Sequence, residues 1–270
     1  MCDYQIICVH DKEPIERYLR LDTPLHIYEI GDLDDFFWGH TTWFAAADEE
    51  RIHSLALLYS GCALPTLLAL AEPVGEPLRG LLQSISGLLP RRFYAHLSPG
   101  LSEVLAGLGP DGFHLEPHGA HCKMTLAGPQ RLSDPDTSAV EPLSSADLPQ
   151  LQQLYRDSYP GNWFEPRMLG TGCYYGSRLG GQLVSAAGVH VLSRRYRVAA
   201  LGNVATHPQF RGRGLAQAAC ARLCRSLLGM AVDHIGLNVH EDNTTAIRCY
   251  ERLGFEISAR YEEWLCEPAG

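Results

Sequence analysis

The chain has 270 residues, is 46% hydrophobic and carries a formal charge of −9. That is apolar material for two ordinary cores, and no stretch is polar enough to stay unfolded. No block of Lys and Arg stands out to grip a phosphate backbone, and no run of about 18 apolar residues offers a membrane span, so neither nucleic acid nor membrane is an expected partner. The N-terminus, Met1-Cys2-Asp3-Tyr4, lacks the basic-then-apolar order of a signal peptide. The nine cysteines (Cys2, Cys8, Cys62, Cys122, Cys173, Cys220, Cys224, Cys249 and Cys266) are odd in number and fit neither a disulfide framework nor a zinc knuckle. Free thiols in a reducing cytoplasm are expected. The acidic balance faintly favours a cationic amine as substrate.

In chain order, residues 43–47, 53–59 and 66–70 read as three consecutive strands. Residues 77–89 read as a helix, 93–96 as a strand and 101–108 as another helix. The segment GPQRLSDPDT at 128–137 is loop-like, so a linker at 131–138 is expected to divide a lobe at 1–130 from one at 139–270. After it, 139–143 reads as a short strand, and Asp147 opens a helix with Leu148, Leu151 and Leu154 at helical spacing. Residues 172–178 and 183–192 read as a hairpin turning at Gly180-Gly181, and 198–206 as a third strand. Residues 212–229 read as a helix whose apolar side chains fall within an arc of about 140°. A buried-type strand follows at 234–239. Next come a helix at 243–253 stopped by Gly254, and closing strands at 255–257 and 260–265. The first half echoes this order, with Gly112-Phe113 mirroring Gly254-Phe255, as an ancient duplication would.

Strand 198–206 runs through Gln209-Phe210-Arg211-Gly212-Arg213-Gly214-Leu215-Ala216 into a helix. A helix start leaves backbone N–H groups without intrahelical partners and adds partial positive charge. Gly212 and Gly214 have no side chain, so a phosphate can approach the backbone, and Arg211 and Arg213 add charge at the rim. Two glycines before a helix are a weak signal alone. The third glycine and the later acidic residue of the dinucleotide fingerprint are absent, as is the Lys-Ser/Thr ending of the nucleoside triphosphate loop. Downstream, Asn243 and Tyr250 stand seven apart in NTTAIRCYERLGF, so they project to nearly the same helix side about 10 Å apart. Taken singly, Asn243 reads as a helix cap and Tyr250 as a core aromatic.

Together, QFRGRG at 209–214 and NTTAIRCYERLGF at 243–255 resemble the GNAT superfamily of acyl-CoA N-acyltransferases, over roughly residues 139–265. The resemblance implies an α/β (α+β) fold of two GNAT-like lobes, each a mixed twisted sheet flanked by helices. It implies acetyl-CoA as co-substrate, bound through the backbone of Val204 and Thr206, the amides of Arg211, Gly212, Arg213, Gly214, Leu215 and Ala216, and the side chain of Asn243. Tyr250 would donate a proton to the departing thiolate; a phenol with an ordinary pKa near 10 suits that task. The implied reaction moves an acetyl or short acyl group to a primary amine of a small molecule or peptide. A non-catalytic acyl-CoA sensor or scaffold is the alternative, in a monomer or homodimer.

The carboxylate that often serves the family as general base is missing: strand 198–206 contains no Asp, Glu or His, and its Asn203 cannot do that work. His190, His240, Glu241 and Asp157 are the candidates from elsewhere, beside a water relay. His207 reads as structural, and Cys249 faces away from Tyr250. Cys220 with Cys224, and the loosely spaced His114, His118, His121 and Cys122, give no convincing metal set, so none is expected. In the first half, Ala71-Glu72-Pro73-Val74-Gly75-Glu76-Pro77 stands where a phosphate loop would be. Its acidic residues would repel phosphate, which marks that lobe as a degenerate copy.

Overall fold

The structure is a computed structural model that describes residues 4–108 and 112–269. In chain order its strands and helices are β1 (Gln5–Val9), α1 (Lys12–Leu19), α2 (Ile27–Asp32), α3 (Asp35–Trp38), β2 (Thr41–Ala47), β3 (Ile52–Tyr59), β4 (Thr66–Ala69), α4 (Glu76–Ile85), β5 (Phe93–Leu97), α5 (Ser102–Ala106), β6 (Phe113–Leu126), β7 (Val140–Pro142), α6 (Leu148–Ser158), β8 (Tyr175–Leu179), β9 (Gln182–Ser193), β10 (Val198–Thr206), α7 (Leu215–Gly229), β11 (His234–His240), α8 (Thr244–Leu253) and β12 (Phe255–Pro268). Two compact units form. One holds the chain up to Lys123 together with the segment from Ser258 onward; the other is Met124–Ile257. The division therefore falls before the 131–138 segment, and residues 258–269 cluster with the first unit instead of the second. The closing stretch is one long strand, where the sequence suggests two. Its outer part pairs antiparallel with β5, from Glu262↔Leu97 to Cys266↔Phe93.

In the first unit the strand order is β1-β2-β3-β4-β5-β12-β6. Strands β4 and β5 are parallel, so a crossover is required, and α4 supplies it. Leu78, Leu81, Leu82 and Ile85 recur at helical spacing on α4 and join a core with Phe44, Ala56, Leu67 and Phe93. Each such side chain contributes on the order of 1.5–3 kcal/mol by leaving water. Helix α1, which buries Ile15 and Leu19, packs on β3 as well.

This unit also buries charge. The His26 Nδ1 lies 3.0 Å from Glu29 Oε1, and the Lys123 ammonium stands 4.0 Å from Glu29 Oε2. Burial opposes ionisation of Glu29, but Lys123 and His26 outweigh it and hold that carboxyl down at about 2. Burial, then the Glu29 charge, push the neighbouring Asp32 well above the carboxylate range. Glu263 accepts hydrogen bonds from the hydroxyls of Tyr94 (2.5 Å) and Tyr261 (2.7 Å), with His96 and His121 at 3.5 and 3.6 Å.

In the second unit β7-β8-β9-β10-β11 lie in sequence order. Only the β10–β11 pair is parallel, and α7 makes its crossover. Neighbouring residues of an extended chain face opposite ways. Tyr175 donates its hydroxyl hydrogen bond to Ser226 of α7 (2.8 Å), whereas Tyr174 stacks edge-on with Phe164 on the side of α6. The two helices therefore cover opposite faces. Helix α7 begins three residues later than its sequence pattern suggests, because Gly212 and Gly214 adopt φ of +76° and +75°. Both units match the expected class, mixed sheets flanked by helices.

Candidate active site

Strands β10 and β11 are registered from Val198↔His234 to Leu201↔Leu237, and the ladder ends there although the strands continue to Thr206 and His240. On its other side β10 stays paired with β9 through two irregularities. Between Ala200↔Val191 and Leu201↔Val189 the extra residue is His190. Between Gly202↔Gly188 and Ala205↔Ala186 the surplus falls on β10, where Asn203 adopts φ +54°. Bulges of this kind re-aim side chains and backbone. The His207 N–H donates to Val184 of β9 (2.9 Å), so by alternation the main-chain groups of Val204 and Thr206 face the side that β11 has left. One of them is shared: Arg211 Nε donates to the Thr206 carbonyl at 3.3 Å.

Asn203 is buried, and its amide donates to the Tyr174 hydroxyl (3.0 Å), which donates in turn to the Val189 carbonyl (3.2 Å). The Tyr155 hydroxyl donates to the Asn203 carbonyl at 2.9 Å. Burial raises both phenols above their ordinary range. Tyr155, Tyr174 and Phe164 were not singled out by their sequence pattern. A signal existed: a glycine inside a strand followed by Asn, a residue that tolerates left-handed backbone, marks a bulge.

The turn after β10 delivers the chain to α7. Gly214 is the N-cap of that helix, with no side-chain cap and no acidic residue in the first turn. Leu215, Ala216 and Gln217 therefore begin a helix whose first amides have no intrahelical acceptor. A Cβ built on Gly212 or Gly214 meets nothing within 4 Å, so the approach to these amides is open. Arg211 and Arg213 are exposed; Arg213 lies over the Phe210 ring, 5.2 Å from its centroid. Open backbone, a positive helix end and two exposed guanidinium groups fit a pyrophosphate.

Asn243 caps α8 by accepting from the Ala246 N–H (3.2 Å), the plainer of its two roles, and this leaves its amide NH2 as donor. It precedes the helix, with φ −80° and ψ 59°, so the helical spacing to Tyr250 holds only from Thr244 onward. Tyr250 is buried, its ring edge-on to Phe255 at 6.0 Å.

Of the candidate bases, Asp157 is exposed on α6 and accepts from Gln153, and His240 Nδ1 accepts from the Asp242 N–H (3.1 Å). Glu241 follows β11 in a turn, and His207 caps the turn after β10. His190 is half-buried beside Gly202. Cys220 and Cys224 are fully buried and Cys249 partly so; burial raises all three thiols, Cys224 to about 12. Among the described residues no group of His, Cys, Asp and Glu has metal-holding geometry, and no disulfide joins the eight cysteines described; Cys2 lies outside them.

Residues 139–255 match the sequence profile of the Acetyltransferase (GNAT) family. Among solved structures, an acetyltransferase from the GNAT family of Colwellia psychrerythraea is similar with a TM-score of 0.58 at 11% identity, over 97% of this chain and 99% of its own. A Drosophila protein gives 0.68 at 11% identity, over 97% and 98%. A tandem GNAT protein from the clavulanic acid biosynthesis pathway gives 0.57 at 15% identity, over 99% of both chains. At these identities the structural likeness establishes the fold, while the profile match identifies the second half. The match to the Acetyltransferase (GNAT) family therefore lies in residues 139–255, and over its whole length the chain is similar to solved GNAT proteins in fold.

Proposed function

We propose that this protein transfers an acetyl or short acyl group from acetyl-CoA to a primary amine, by direct attack. The junction between β10 and α7 carries the reading: an uncapped helix start behind two open, left-handed glycines, next to a strand edge that its neighbour has left. The amides from Arg211 to Ala216 hold the pyrophosphate. The main chain of Val204 and Thr206 pairs with the pantetheine amides as an added strand would. The Asn243 amide donates to the same arm. Tyr250 protonates the departing thiolate. The first unit binds no CoA, because its β4–α4 loop carries Glu72 and its α4 opens on Glu76 where the second unit has arginines.

A thiol-release screen with acetyl-CoA over amino acids, polyamines, aminoglycosides and peptides tests this. One amine class should release CoA above the rate of hydrolysis. Tight acetyl-CoA binding with no turnover across the screen would make the protein a sensor.

A further inference from the structure

We infer that His190 is the general base of this reaction, taking the place of the carboxylate that β10 lacks. The inference rests on the acyl-transfer reading above. If the pyrophosphate sits at residues 211–216, the acyl-CoA arm runs back along β10 from Thr206 toward Leu201, roughly 16 Å at about 3.3 Å per residue. Its reactive end then reaches the root of the opening, where the β10–β11 ladder stops at Leu201↔Leu237. Gly202 is the next residue.

A Cβ on Gly202 would fall 2.3–2.5 Å from the His190 ring atoms Cδ2, Cγ and Nε2, so the imidazole occupies the space that a side chain at Gly202 would fill. Gly188, the register partner of Gly202, is covered in the same way by the Tyr174 ring, 2.1–2.5 Å from a Cβ there. The imidazole and the Tyr174 phenol therefore stand on the same face of the sheet, which is the α6 face. The bulge puts His190 there, since it is the extra residue opposite Ala200 and Leu201.

The phenols of Tyr155 and Tyr174 are titratable groups packed on this face, and α6 adds Arg156 and Asp157, both exposed. Tyr155 is engaged with the Asn203 carbonyl and Tyr174 with the Asn203 amide and the Val189 carbonyl, and burial raises both phenols. His240 lies three residues beyond Leu237, about 10 Å nearer the mouth. Of the four candidates, His190 is the one set directly against Gly202, while Asp157 is exposed and accepts from Gln153.

The step balances as follows. A primary ammonium, with an ordinary pKa near 10.4, loses one proton to the imidazole, directly or through one water. The freed lone pair forms the C–N bond at the thioester carbonyl, and the C–S bond breaks with its electron pair on sulfur. The second nitrogen proton is lost as the amide forms. One proton ends on the thiol through Tyr250, and the imidazolium returns the other to solvent.

The test compares the parent with His190→Gln and His190→Ala, using acetyl-CoA and the fastest amine from the screen. Both variants should bind acetyl-CoA within about two-fold of the parent by calorimetry. Their kcat/KM for the amine should fall by about 10²–10⁴-fold at neutral pH, and the rising limb of the pH profile should disappear. Free imidazole should restore part of the rate to His190→Ala, a rescue that a merely structural role would not allow. Retention of the parent's limb with a rate within three-fold, or loss of rate with no rescue in a folded variant, overturns the assignment. If the parent binds acetyl-CoA and turns over no amine, the acyl-transfer reading fails first and the base with it.

Discussion

At the scale of single residues, Tyr250 and Asp32 make opposite demands on burial. Tyr250 is buried and packed against Phe255, so Tyr250→Phe keeps the ring and its packing while removing the hydroxyl. We expect kcat to fall by about 10²–10⁴-fold with acetyl-CoA affinity unchanged. Loss of affinity instead would make Tyr250 a binding residue, and an unchanged single-turnover rate would remove it from the mechanism. Asp32 is a carboxyl that the fold prefers protonated. Between its ordinary value of 3.8 and its raised value the folded chain binds a proton that the unfolded chain does not, so stability falls as pH rises. Glu29 has the opposite sign: held near 2, it contributes stability above the ordinary carboxyl range and loses it as pH falls toward 2. Asp32→Asn should therefore raise Tm at pH 7, by about 2–4 °C per kcal/mol, with the gain shrinking toward pH 4. An unchanged or lower Tm at pH 7 would mean that Lys123 keeps Asp32 ionised.

At the scale of elements, the candidate site lies where strands depart from regularity. β10 carries Asn203 in left-handed backbone, β9 carries His190 as a surplus residue, and the turn into α7 holds two glycines at positive φ. The last point separates two effects of one mutation. Gly214→Ala meets open space, yet its φ of +75° strains an L side chain by about 1–2 kcal/mol. A Cβ at the helix start also obstructs phosphate. The expected result is a Tm lowered by a few degrees and an acetyl-CoA Kd raised at least ten-fold, beyond what the folded fraction explains. A variant that binds as tightly as the parent would move the pyrophosphate elsewhere.

At the scale of the whole molecule, two units of comparable order share one chain, and the glycine-rich turn lies in the second. In the first, the β4–α4 loop ends at Gly75, an N-cap followed by Glu76 and Pro77. Acid at a helix start interacts favourably with the dipole from within the chain and repels a phosphate. Calorimetry with acetyl-CoA should therefore give one site per chain. Two equivalent sites would restore the first unit as a working lobe.

The sequence by itself determined the class and the local form of the turn into α7. The α4 leucines recur at helical spacing, the strands alternate or run apolar, and glycine before a helix has local consequences that no distant contact alters. It also located the stop at Gly254 and the cap at Asn243, because caps are settled within a few residues. Residues 5–38 were not resolved into elements, since their short, irregular helices leave no sustained period. Only the tertiary structure decided that residues 258–269 belong with the first unit, because a strand's own pattern does not say which edge it will pair with. It alone decided that His190 stands over Gly202 while His240, Glu241 and Asp157 do not. A bulge changes the face to which a side chain points by one residue of register, and that register is set by the partner strand rather than by the residues themselves.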